Sequence, residues 1–177
     1  MSRSPQTMAS NASGARKRRF DEQVSVWHGD MYRYALWLCR DPMLAEDVVQ
    51  EALLRAWKSL DTLRDESAAK QWLLTIVRRE NARHWERKRL QTVDIDALTP
   101  AQTALLGEEQ DTERDDIRAA IFKLPDDYRE PLVLQVLMGY TTEEIASAMG
   151  ISGGAVLTRL HRARHKLKAQ LSKRSAQ

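Results

Sequence analysis

From Arg159 to its C-terminus the chain carries arginines, lysines and histidines and not one carboxylate. Cationic groups crowded in this way do electrostatic chemistry: they neutralise phosphates and displace the counterions around a polyanion. Leu157, Thr158, His161, Arg164 and His165 would share the outer side of a helix here, with Arg159 and Arg162 towards its flanks. Such a face offers apolar, hydroxyl, imidazole and guanidinium contacts to base edges and phosphates. A second cationic cluster spans residues 78–89, where Arg78, Arg79, Arg83, Arg87, Lys88 and Arg89 face only Glu80 and Glu86. Arg79, Arg83 and Arg87 recur every four residues, so on a helix they form one line able to track a phosphate backbone. Trp85 lies near that line and can stack on an unpaired base, although tryptophans at helical spacing more often belong to a core. Asn81 adds an amide to the same segment.

The same pattern argues against catalysis. Carboxylates are abundant but fall on helix faces or in an acidic stretch, and no Ser, His or Cys arrangement marks a nucleophile or base. His161 and His165, four apart, have metal-ligand spacing, yet arginines surround them and no Cys or carboxylate lies close in sequence. No catalytic residue, metal, cofactor or small-molecule substrate is therefore expected.

Positioning the C-terminal cations requires a particular element. Residues 142–167, TEEIASAMGISGGAVLTRLHRARHKL, have the form of a helix-turn-helix followed by a basic helical extension. Ala146 is small where two helices meet, Gly150 suits a left-handed turn, and Ile145, Met149, Ile151, Val156 and Leu160 fill the space between. The second helix is expected to start at Ser152, whose hydroxyl caps free backbone N–H groups, while Gly153 and Gly154 admit a phosphate close to the backbone. Val156, Leu160, Ala163 and Leu167 then form the buried stripe. A merely solvated charged helix would share the charge but not the agreement of turn, core and charge.

Upstream, Asp41-Pro42 is a helix start, with Asp as cap and Pro at the first helical position. The helix that follows is cleanly amphipathic: Ala45, Val48, Val49, Ala52, Leu53, Ala56, Trp57 and Leu60 lie on one side, and Asp47, Gln50, Glu51, Arg55 and Lys58 on the other. Leu54 stands among those polar residues, where it is either an ordinary exposed leucine or the apolar anchor of an interface. Residues 61–70 are expected to form a loop or short turn, delivering the chain into a helix over 71–88 with Trp72, Leu73, Ile76 and Val77 facing inwards. Later, Leu124-Pro125-Asp126 breaks one helix and starts another, whose core side is expected to be Leu132, Val133, Val136 and Leu137. Pro131 removes a donor within it and predicts a bend, and Gly139 closes it.

The chain has 177 residues, 42% hydrophobic and 30% charged, with a net charge of +3. No apolar run approaches a membrane span and the basic N-terminus lacks an apolar signal region, so a cytoplasmic protein without membrane insertion is expected. Cys39, alone, is expected to be a buried thiol. Residues 94–116 hold eight carboxylates against Arg114 alone, so two basic surfaces flank an acidic connector. The expected fold is all-α: a disordered basic tail (1–19), a helical domain (20–90), a flexible acidic linker with at most one short helix (91–111), and a helix-turn-helix domain (112–177).

These segments together resemble a bacterial extracytoplasmic-function sigma factor of the sigma-70 family. The resemblance is carried by LAEDVVQEALLRAW (44–57), WLLTIVRRENARHWERKR (72–89), LPDDYREPLVLQ (124–135) and YTTEEIASAMGISGGAVLTRLHRAR (140–164), in the family's order. It implies a subunit that binds core RNA polymerase and directs promoter recognition, DNA melting and transcription initiation. It implies that Asp47, Gln50 and Glu51, with Leu54 beside them, dock on the polymerase. It implies that Arg78, Arg79, Asn81, Arg83, Trp85 and Arg87 belong to the element that recognises and melts the minus-ten region, with the loop at about 64–69 helping to hold a flipped base. It further implies that Leu157, Thr158 and His161 read the minus-thirty-five element, with Arg162, Arg164 and the Ser152-Gly153-Gly154 turn near phosphates, and that an anti-sigma factor is a partner. Arg79 stands where the family usually has Asn, which trades base reading for phosphate attraction or moves it to Asn81. Leu157 replaces a residue that is often polar and offers apolar contact, for instance to a thymine methyl. The rival reading is a self-sufficient helix-turn-helix regulator binding an operator as a dimer. It lacks a heptad seam or dimerisation helix and leaves the 78–89 cluster without a purpose. A polymerase-binding decoy would have ruined DNA faces, whereas both basic faces survive here.

Overall fold

The computed structural model describes residues 5–91 and 112–174, and every regular element in them is helical. Met1–Ser4 and the connector over 92–111, where the acidic linker is expected, lie outside the described residues. The first block holds α1 (Pro5–Cys39), α2 (Pro42–Ser59) and α3 (Ala69–Gln91), with 3-10 turns at Leu60–Thr62 and Glu66–Ala68. The second holds α4 (Thr112–Phe122), α5 (Asp126–Val136), α6 (Thr142–Met149) and α7 (Gly153–Arg174).

One expectation fails at the outset. Residues 1–19 read as a disordered tail, but α1 is helical from Pro5 onwards, and Arg16 and Arg19 reach backbone carbonyls of the first block. The segment carries no apolar helical pattern of its own, and its partners lie dozens of residues away in sequence. Further along α1, Met31, Tyr34, Ala35 and Cys39 are buried at helical spacing. The helix closes at Arg40, a left-handed residue with φ 59°. Asp41 is then extended, as the residue before a proline must be, and its carboxylate accepts from the Met43 and Leu44 amides as the expected cap.

α2 buries Ala45, Val48, Val49, Ala52 and Ala56 against α1 and α3, as its pattern requires. α3 contributes Leu73, Leu74, Ile76 and Val77 to the same core, while Trp72 stays half-buried with its indole N–H directed to Thr62 Oγ1 at 3.3 Å. Cys39 is buried, and desolvation, helped by the Asp41 charge, pushes its thiol up to about 12, so it remains protonated and donates to Asn81 Oδ1.

In the second block, α5 runs unbroken through Pro131, but its core side is Pro131, Leu132, Val133 and Leu134. Val136 and Leu137, expected inside, are 65% and 46% exposed. The helix ends at Val136, so the helical period cannot carry their side chains back to the core. Gly139, with φ 75°, instead turns the chain so that Met138 and Tyr140 are buried. Arg129 is buried too, its guanidinium bonded to the Leu124 carbonyl and, at 2.7 Å, to Asp126, which ties the α4–α5 turn together.

The two blocks touch. Trp37 of α1 stacks on Phe122 of α4 with ring centres 4.4 Å apart and planes 20° from parallel. Glu130 on α5 accepts from Tyr34 Oη at 2.8 Å and from Arg78 Nε at 2.6 Å. Lys70 reaches the Met138 carbonyl at 2.8 Å, and Gln71 donates to Glu144.

Candidate nucleic-acid interface

The helix-turn-helix forms from local chemistry. Thr141 and Glu144 make a reciprocal capping box that opens α6. Gly150 closes it at φ 66°, the left-handed geometry expected of that position. Ser152 Oγ accepts from the Ala155 amide at 3.2 Å and caps α7 as expected. Val156, Leu160 and Ala163 are buried, anchoring the helix and orienting its other side. Leu157, Thr158, His161, Arg162, Arg164 and His165 are exposed, Leu157 at 59%. A side chain added at Gly153 or Gly154 would meet open space, so the turn is accessible to a phosphate. Cations on this helix are also engaged inside the molecule: Arg159 pairs with Asp127 at 3.2 Å, Arg164 donates to Gln135 at 2.5 Å, and Lys166 Nζ lies 5.8 Å from the centre of the Tyr128 ring.

α3 is more heavily engaged. Arg79 is exposed and makes no ion pair among the described residues. Arg83 is bound to Glu80, a buried carboxylate that also forms an ion pair with Arg55 Nε at 3.1 Å and so staples α3 to α2. Arg78 points to the second block: burial opposes its charge, but Glu130 outweighs that and raises its pKa. Burial, then the Glu130 charge, drives the Tyr34 phenol well above its ordinary value, so Tyr34 donates to the shared carboxylate. Asn81 is partly buried beside Cys39, on the α1 side of the helix. Trp85 is 37% exposed rather than in the core, with Lys88 Nζ 5.2 Å from its ring centre.

The expected straight line of arginines is not a single surface. Arg87 lines an open groove of about 710 Å³ between α2 and α3, together with Asp47, Gln50, Glu51 and Leu54. Glu80, His84 and Lys88 complete its other wall, residues that sequence reasoning left unassigned. Their spacing with Arg87 at i, i+4, i+7 and i+8 was the available signal, because it marks one helix face. Leu54 is 56% exposed on the groove's rim, the position of an apolar anchor among charges. Glu130, Arg16 and Arg19 were also missed; nothing local marks a contact made across dozens of residues.

Residues 24–91 match the family described as Sigma-70 region 2, and residues 114–167 match Sigma-70, region 4. The chain is 35% identical over 145 residues to the ECF RNA polymerase sigma factor EcfG of Rhodopseudomonas palustris, an alignment covering 78% of this chain and 77% of that protein. The chain belongs to the extracytoplasmic-function sigma factors. The sigma factor is also 34% identical over 159 residues to SigL of Mycobacterium tuberculosis, covering 86% of each. Among solved structures it is similar to the sigma factor RpoE of Bartonella quintana, crystallised with the anti-sigma factor NepR. That similarity has a TM-score of 0.68 and 29% identity, and covers 86% of this chain and 96% of that one. CnrH, solved in complex with the cytosolic domain of CnrY, shares the fold with a TM-score of 0.64 at 24% identity, covering 94% of this chain and 96% of that one. Among the described residues no helix of the sigma factor is long and apolar enough to cross a membrane.

Proposed function

We propose that this sigma factor docks on core RNA polymerase through the α2 face formed by Asp47, Gln50, Glu51 and Leu54, and holds promoter DNA at two separate places. The exposed side of α7, with Leu157, Thr158 and His161 central and Ser152, Gly153, Gly154, Arg162 and Arg164 around them, reads the minus-thirty-five element in the major groove. The basic helix α3, with Arg78, Arg79, Asn81, Arg83, Trp85 and Arg87, engages the minus-ten region as it opens, and the loop at 60–68 receives an unstacked base. Arg79 is exposed and makes no ion pair among the described residues, Trp85 is 37% exposed, and the Asn81 position beside Cys39 favours phosphate attraction by Arg79 over base reading by Asn81.

The observation that carries this reading is the presence on one chain of a helix-turn-helix with an open exposed face and a second basic helix beside a groove whose α2 wall carries Asp47, Gln50, Glu51 and Leu54. An operator-binding dimer would need only the first. The protein works by binding and positioning, without catalysing a reaction, and acts in the cytoplasm, where polymerase and promoter are. An anti-sigma factor is a proposed partner, since the similar sigma factor RpoE was crystallised with one.

Run-off transcription with core polymerase, with and without the chain, tests the function directly: specific starts are expected only with it. Asp47→Lys is expected to weaken polymerase binding about tenfold, the scale of one lost interfacial charge contact, while leaving helicity intact. Undiminished affinity would place the docking face elsewhere.

A further inference from the structure

Around Arg16 and Arg19, α1 runs beside the loop that separates α2 from α3. Arg16 Nη2 donates to the Trp57 carbonyl at 2.9 Å and lies 3.4 Å from Asp61 Oδ2. Its guanidinium carbon is 5.1 Å from the centre of the Trp57 ring, which Phe20 meets edge-on at 5.2 Å. One helical turn later Arg19 donates to the Leu63 carbonyl through Nη2 and to Glu66 Oε1 at 3.1 Å through Nε. Two arginines on one face of α1 therefore hold the beginning and the middle of the loop.

The acceptors explain why these contacts matter. Trp57 lies in the last turn of α2, where carbonyls have no intrahelical partner and a cation is favoured. Leu63 is the extended residue between the two 3-10 turns, with φ −77° and ψ 93°. The carboxylates of Asp61 and Glu66 are largely exposed, so their ion pairs contribute little; the bonds to backbone carbonyls matter more, Arg19 holding Leu63 inside the loop and Arg16 the end of α2 from which the loop departs. Trp72 holds the opposite side through Thr62, Asp65 caps the Ser67 amide at 2.9 Å, and Leu60 and Leu63 are buried beneath. Residues 64–67 are left as a rim that is exposed throughout. A loop without such ties would lose conformational entropy each time it enclosed a ligand.

We propose that Arg16 and Arg19 are positioning residues for promoter opening: they preset the loop at 60–68 in the shape that captures an unstacked base, which makes the N-terminal extension of α1 part of the melting apparatus. The inference rests on the sigma-factor reading above and adds to it a segment that the matched region at 24–91 does not include.

The test uses holoenzyme assembled from core polymerase and the full chain, bound to forked promoter DNA from a mapped start site. Each unpaired minus-ten position is made intact or abasic in turn. Wild type is expected to lose about tenfold in affinity when the captured base is missing, the scale of one base held by stacking. With Arg16→Ala and Arg19→Ala together, the intact fork binds more weakly and the penalty for the missing base shrinks towards none. Polymerase binding, upstream-element binding and thermal unfolding stay at wild-type values. Arg16→Lys with Arg19→Lys keeps the charges and restores the base dependence in part. An unchanged penalty in the alanine variant overturns the proposal, as does a uniform loss at every position accompanied by a lowered melting temperature, which would make these arginines supports of the fold. A wild-type holoenzyme that initiates but is indifferent to every base also overturns it. No initiation by wild type on any template would instead defeat the sigma-factor reading itself.

Discussion

α3 and α7 carry similar numbers of cations and stand in opposite relation to the rest of the molecule. The proposed reading face of α7 is open: Leu157, Thr158 and His161 are exposed, beside a glycine turn with open space around it. On α3, Arg78 is held by Glu130, Arg83 by Glu80, and Arg87 faces the groove shared with α2. A helix that binds closed duplex can be presented in advance, because its ligand already exists. On the proposed roles, a helix that handles opened DNA meets its ligand only after melting, and two of its cations, Arg78 and Arg83, are meanwhile held by carboxylates of the same chain. Releasing Arg78 to a phosphate requires that the second block give it up.

The sharpest way to break this contrast is to remove α7 from it. Leu160 is 1% exposed at the centre of the helix-turn-helix core, and Leu160→Ala is expected to cost about 2–5 kcal/mol, measured by denaturant unfolding of the full chain. Upstream-element binding should fall with it, whereas polymerase docking through α2 should persist. Simultaneous loss of both would mean that the two blocks fold as one unit. Next in size, substitutions at Leu157, Thr158 or His161 are expected to shift the preferred upstream sequence by about 1–3 kcal/mol per position, read by selection from a randomised duplex. An unchanged preference would move base reading off this face.

Glu130→Gln addresses the occupied helix. It removes the charge that Arg78 meets at 2.6 Å, in a pair that is neither fully buried nor fully exposed. Contact between the blocks is expected to weaken by about 1–2 kcal/mol, read as a larger average distance between dyes placed on α2 and α7. Binding to opened promoter DNA should rise correspondingly; a fall would show that the closed arrangement aids binding. The smallest effect lies within α3. Arg79→Ala should reduce the slope of log affinity against log salt by about 0.7–0.9, one phosphate contact, and Arg83→Ala by less, because Glu80 already holds that side chain. Equal slopes would erase the distinction between free and engaged arginines.

Much of this architecture was legible beforehand because it is written in short-range rules. The Asp41 cap, the left-handed Gly150, the Ser152 cap and the stripe of Val156, Leu160 and Ala163 each depend on neighbours within about one or two helical turns. The polar face of α2 followed in the same way. Reading failed where a local signal was weak or misleading. Residues 5–19 lack apolar periodicity, yet Arg16 finds the Trp57 carbonyl 41 positions away. Val136 and Leu137 continued a helical pattern that the chain itself abandons after Val136. Arg87 kept a four-residue interval with Arg79 and Arg83, but successive steps of four drift around a helix of 3.6 residues per turn, and the drift carries it into the groove.

Apart from the start of α1 and the end of α5, the sequence alone therefore determined which segments are helices, where they are capped, which sides are apolar and where positive charge collects. All of these follow from backbone sterics and periodicity acting over a few residues. Only the tertiary structure decided which cations are free. Glu130 and Arg78 are 52 positions apart and become partners through the packing of α5 against α1 and its neighbour α3. Charge is a property of a residue, whereas availability is a property of the space around it, and that space is made by parts of the chain distant in sequence.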